Sequence, residues 1–184
     1  MPRPAGLPLI VAVACWSAPS IAVPVLGVPI GETLNYSPQA CPPKKESAQQ
    51  ICWVGRPSVA RDGSRTGRLY LPRPESRPKW AATQTFTGSV SKDGTMEELK
   101  LAKVPARERS AIIIFISEQF GIPRAAGDEG SKAWARWTDK GVHVNLDCEE
   151  ELCLLAVRTY AAETALKRQM EAGRATAAGS PRSP

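Results

Sequence analysis

His143 is the only histidine among 184 residues, and that alone removes much familiar chemistry. A two-histidine zinc site lacks its ligands, and a serine or cysteine nucleophile has one candidate base. His143 alternates with Asn145 and Asp147 in V-H-V-N-L-D, so on a strand the three side chains share one face. An enzyme centred on His143 is one reading of that stripe. Asp147, however, lies about 13 Å along at roughly 3.3 Å per residue, too far to orient the ring. The spacing favours a solvated strand face, and no catalytic residue is assigned. Glu97 and Glu98 are adjacent and would point to opposite faces of a strand, while Glu149 to Glu151 form a charged run at a turn. G-S-R-T-G-R, at 63–68, lacks the G-K-[S/T] ending of a phosphate-cradling loop. Neither a metal nor a cofactor is predicted.

Cysteine chemistry is more informative, and it depends on the amino terminus. One positive charge, Arg3, precedes L-P-L-I-V-A-V-A at 7–14, and the next charged residue is Glu32. That is the pattern of an export signal; Pro8, Pro19, Pro24 and Pro29 interrupt the stretch too often for a membrane span of about 20 apolar residues. Cleavage after Ala22, with Ser20 and Ala22 as the small residues, would define a signal peptide over 1–22 and remove Cys15. V-A-C at 13–15 also resembles a lipoprotein box, in which Cys15 would carry the lipid and supply the only membrane attachment. Either route leaves Cys41, Cys52, Cys148 and Cys153 in an oxidising space, periplasmic or secreted. Proximity pairs Cys41 with Cys52 and Cys148 with Cys153, since short loops close at least entropic cost. Zinc and thioredoxin-like roles lack a C-x-x-C spacing.

Charge is unevenly placed. Arg56, Arg61, Arg65, Arg68, Arg73, Arg77 and Lys79 face only Asp62 and Glu75 within 56–79, a net of +5, whereas the rest of the mature chain is neutral. Pro57, Pro72, Pro74 and Pro78 fall in the same stretch, which reads as an exposed basic loop with at most a short strand at 69–71. Such a loop suits an anionic surface or an acidic partner. Nucleic acid is not expected, because the arginines are not interleaved with stacking aromatics and the chain leaves the cytoplasm.

The elements that must position these residues follow from periodicity. Residues 85–90 and 95–103 form a hairpin around S-K-D-G. Residues 106–120 form a helix with Ile112, Ile113, Ile116 and Phe120 on its apolar face, although I-I-I-F-I also fits a strand. After a polar loop at 127–131, the stretches 133–138, 142–147 and 152–158 read as a three-stranded meander, with Trp134 and Trp137 sealing its contact with the helix. Residues 160–172 form a terminal helix and 173–184 a disordered tail. The expected fold is α+β: an antiparallel sheet, hairpin plus three-stranded meander, covered by one central helix, with a C-terminal helix. Residues 23–79 are expected to be an extended, disulfide-looped basic region and 80–172 the α+β domain.

G-V-P-I-G-E at 27–32, the 41–52 cysteine loop ending in I-C-W, the D-G hairpin, the helix closing in F-G-I-P and the tryptophan strand together resemble small exported proteins of Gram-negative bacteria. The helix-plus-meander order is similar to that of envelope lipoproteins and inhibitor modules that bind proteins through a sheet face. The resemblance implies export and binding and brings no catalytic or ligand residue. The sequence thus points to a non-enzymatic envelope module whose partner is an envelope protein or an anionic surface. An inhibitor of an acidic envelope or host hydrolase is the alternative from a second class.

The intact mass of purified protein, unreduced and reduced, is expected to show loss of 1–22 and a gain of two hydrogens per bridge for two bridges. A mass retaining the leader with all thiols free would contradict export.

Overall fold

The computed structural model describes residues 24–82 and 85–178. The proposed leader, its cleavage point and Cys15 lie outside them. Eleven strands and three α-helices follow in chain order. A minimal hairpin of β1 (Pro24–Val25) and β2 (Val28–Pro29) leads to β3 (Cys52–Trp53), β4 (Ser58–Val59), β5 (Arg65–Tyr70) and the one-turn α1 (Lys79–Ala82). Then come β6 (Phe86–Val90), β7 (Met96–Pro105), α2 (Arg109–Phe120) and β8 (Ala125–Glu129). The chain closes with β9 (Lys132–Asp139), β10 (Val142–Glu149), β11 (Leu152–Thr159) and α3 (Tyr160–Ala178).

The expected two-plus-three-stranded sheet under a central helix is wrong. β3 to β11 form one nine-stranded antiparallel sheet in the order β3-β5-β6-β7-β11-β10-β9-β8, with β4 pairing alongside β5. Two meanders, β5 to β7 and β8 to β11, are joined edge to edge by β7 and β11, and α2 carries the chain from that seam to the far edge. β3, β4 and β8 fall where loops are expected, and β5 begins four residues before the short strand expected at 69–71.

β5 was hidden by the prolines around it, yet none falls within 65–70. Gly67 and Gly88 stand opposite each other across β5 and β6, and large side chains fill the space that the two glycines leave. A Cβ on Gly67 would lie 3.3 Å from Trp53, and one on Gly88 would lie 2.3 Å from Leu69. Residues 56–79 are therefore not one loop: their middle is an interior strand between β3/β4 and β6. Likewise A-A-G-D-E of β8 has weak strand propensity but lies at an edge beneath Trp134, whose indole would sit 2.7 Å from a Cβ on Gly127.

One sheet face holds the core. Leu69, Phe86, Leu99, Leu101, Val104, Ala135, Trp137, Val144, Leu146, Leu155 and Val157 are all buried there. They are covered by Ile112 and Ile116 of α2, Trp80 of α1 and the amino-terminal Val25, Val28 and Ile30. The helix expected at 106–120 thus exists, its first three residues forming a 3-10 turn, but it covers the sheet together with a segment expected to be outside the domain. Trp137 caps the helix end, its Nε1 donating to the Gly121 carbonyl at 3.2 Å; Trp134 lies on the opposite face. In β7 the alternation that turns Leu99 and Leu101 inward would next turn Lys103 inward. A register shift opposite Leu154, with Lys103 at φ 64°, absorbs one residue and brings Val104 in instead.

α3 lies on the other face and extends to Ala178, six residues into the expected tail. Arg158, directly opposite Glu98 across the seam, anchors it. Its Nε binds Glu98, its Nη1 lies 3.2 Å from Glu163 of α3, and Lys100 and Lys167 flank the two carboxylates. Removing a buried ion-pair partner strands the charges it neutralised. Arg158→Ala is expected to destabilise the fold by about 3–5 kcal/mol in urea unfolding and to raise amide exchange in α3; unchanged stability would show that α3 is held otherwise.

Candidate functional site

Both cysteine pairs are disulfides. Cys41–Cys52 closes the proline-bearing loop onto β3, and Cys148–Cys153 bridges directly opposed residues at the β10–β11 turn. Two bridges fit an oxidising compartment outside the cytoplasm. Among the described residues no helix is long and apolar enough to cross a membrane, and no cluster of metal-ligating side chains occurs.

His143, Asn145 and Asp147 do share the outer face, but neighbouring strands and α3 occupy them separately. Asp147 pairs with Arg136, whose guanidinium lies over Trp134. Asn145 reaches Glu163 at 3.4 Å. His143 Nδ1 lies 3.1 Å from Thr138 Oγ1, and its ring stacks on Tyr160 with centroids 5.5 Å apart. Nε2 is buried and has no hydrogen-bond partner among the described residues. Burial pushes the His143 pKa below its ordinary value; Glu163 draws it up and Lys167 presses it further down. The stripe expected to be solvated is instead partly roofed by α3.

The seven basic residues of 56–79 fare differently. Among the described residues none forms an ion pair, although some cations elsewhere, Arg109 with Asp128 and Lys132 with Glu149 among them, do. Arg56, Arg61, Arg65, Arg68, Arg73 and Lys79 are exposed. They do not form one patch: Arg65 lines a cleft with Tyr36 and Asp93, Arg73 lines another with Glu32, and Arg68 and Arg77 meet in a third.

This third cleft, of about 330 Å³, lies where β5 ends and β6 begins. Apolar Val54, Leu69, Leu71 and Phe86 line it with Lys45, Glu46, Tyr70 and the two arginines. Lys45 sits in the 3-10 turn Lys45–Ser47, inside the loop closed by Cys41–Cys52, so the disulfide tethers the segment that carries it. The Arg77 guanidinium carbon is 5.1 Å from the Phe86 ring centroid. Arg77 Nε and Nη1 are buried and unpartnered among the described residues. Burial lowers the Arg77 pKa, opposed by Tyr70 and Glu75, yet guanidinium keeps its charge at neutral pH. Leaving a buried donor unmade costs about 1–3 kcal/mol in a typical case, so an arriving acceptor is favoured. The sequence singled out Arg68 and Arg77 but gave no sign of Lys45 or Tyr70, which only chain folding brings beside them.

No protein-family model, curated protein sequence or solved structure matches this chain.

Because the fold holds the His143 imidazole neutral more readily than the unfolded chain does, its contribution to stability is intact above the ordinary value near 6.5. That contribution is lost as pH falls through the lowered folded value. With one histidine present, His143→Gln is expected to flatten the stability profile as pH falls below about 6.5 in denaturant titrations. An identical slope in the variant would refute this role.

Proposed function

We propose that the protein is an exported, disulfide-stapled binding module that contacts an anionic surface or acidic partner through the basic segment 56–79, without doing chemistry itself. The carrying observation is that all seven cations of this segment lack ion-pair partners within the described chain, while elsewhere Glu98, Asp128 and Glu149 are each taken up by a neighbouring cation. A net of +5 held unpaired on an ordered strand and its flanking turns is a standing attraction for anions, and it weakens as salt rises. The disulfides support an envelope or extracellular setting, periplasmic or secreted. The closure of α3 over His143 supports a structural place for that residue.

Retention on vesicles containing phosphatidylglycerol is expected to exceed that on phosphatidylcholine and to fall with salt. Replacing Arg61, Arg65 and Arg73 together with serine is expected to weaken it roughly a hundredfold, at about 1 kcal/mol per charge near the surface. Retention indifferent to both salt and the triple substitution would overturn the reading.

A further inference from the structure

The arginine cleft asks for more than a diffuse surface. Arg77 lies over Phe86 with its buried Nε and Nη1 nitrogens unpartnered among the described residues, beside Lys45, Arg68 and the Tyr70 ring. Three positive charges face one negative, Glu46. Part of the wall is apolar: Val54, Leu69, Leu71, Ala82 and Phe86. At about 330 Å³ the cleft is at the small end of ligand sites and suits a molecule rather than a membrane face.

We propose that this cleft binds a small oxyanion, carboxylate or phosphate, borne on an apolar or aromatic body, with Arg77 as principal donor and Lys45 as the second charge. The proposal rests on the reading that this region meets anions and names the group that it holds. Nε–H and Nη1–H point from different edges of the guanidinium, so a carboxylate or phosphate takes one of them together with an Nη2–H in two parallel bonds, a pairing that a spherical anion does not accept equally well. The apolar wall then favours an anion with carbon behind it over the same anion free in water. Glu46 on the rim disfavours additional negative charge on the ligand.

The test follows the Arg77 Nε–H resonance by NMR at constant ionic strength. Phenyl phosphate and benzoate are expected to shift it saturably and to bind about tenfold more tightly than inorganic phosphate and acetate. Arg77→Lys is expected to abolish saturable binding, measured by calorimetry, with the melting temperature confirming the fold. Lys45→Glu, at an exposed turn, is expected to weaken binding about tenfold even if Arg77→Lys proves unstable. The Arg61, Arg65 and Arg73 triple variant lines other surfaces and should bind these probes as the native protein does. Loss of vesicle retention in that triple variant with no saturable Arg77 shift would overturn the cleft and leave the surface reading standing. A shift produced by phosphatidylglycerol vesicles but by none of the small probes would overturn the small-ligand assignment in favour of a headgroup. Saturation by phenyl phosphate together with salt-indifferent vesicle retention would uphold the cleft and overturn the surface.

Discussion

The pairing of β7 with β11 is the constraint on which the molecule depends. Each meander is built from strands that are neighbours in sequence, and neither alone encloses a core. Setting Leu99, Leu101 and Val104 opposite Val157, Leu155 and Cys153 makes one continuous buried face from two. The bulge at Lys103 keeps that face apolar where strict alternation would have driven an ammonium inward. The seam is also charged on its reverse: Arg158 and Glu98 face each other there, and α3 docks on Arg158 through its own Glu163 carboxylate, which completes the set. One strand pair thus positions both layers that cover the sheet.

The basic segment gains its character from the same sheet. As a free loop, seven cations would be dispersed by their own mobility. As β5 and its flanking turns, they are held on a frame whose interior is fixed by Leu69, Leu71 and Trp53. The 41–52 disulfide adds a tethered loop that brings Lys45 to the end of β5. Half-burial of Arg77 against Phe86 places a charge where solvent solvates it poorly and the described chain supplies no acceptor for two of its nitrogens. Desolvation, more than the charge count, separates this arginine from the other six.

Local chemistry was legible in the sequence. The D-G hairpin, the alternation of Val142, Val144 and Leu146, the Ile112 and Ile116 spacing and the two proximity pairings of cysteine all reappear in place. Each of these is a short-range signal, set by turn geometry, by side-chain period or by loop entropy. Prolines misled where they bracket a strand, and the weak propensity of β8 misled where its neighbour decides the conformation. Glycine at 67, 88 and 127 carried the missing signal, since each makes room for a bulky side chain from another strand, but a glycine alone does not say which.

The amino-acid order by itself determined where the charge resides, which residues alternate into a core and which cysteines are close enough to couple. Only the tertiary structure decided that the amino-terminal segment joins that core, that His143 lies beneath a helix, and that Arg77 meets Lys45 and Tyr70. The physical reason is range. Propensity and period act over a few residues, whereas burial and strand pairing join residues far apart in the chain, and the energy that selects those partners exists only once both sides are present.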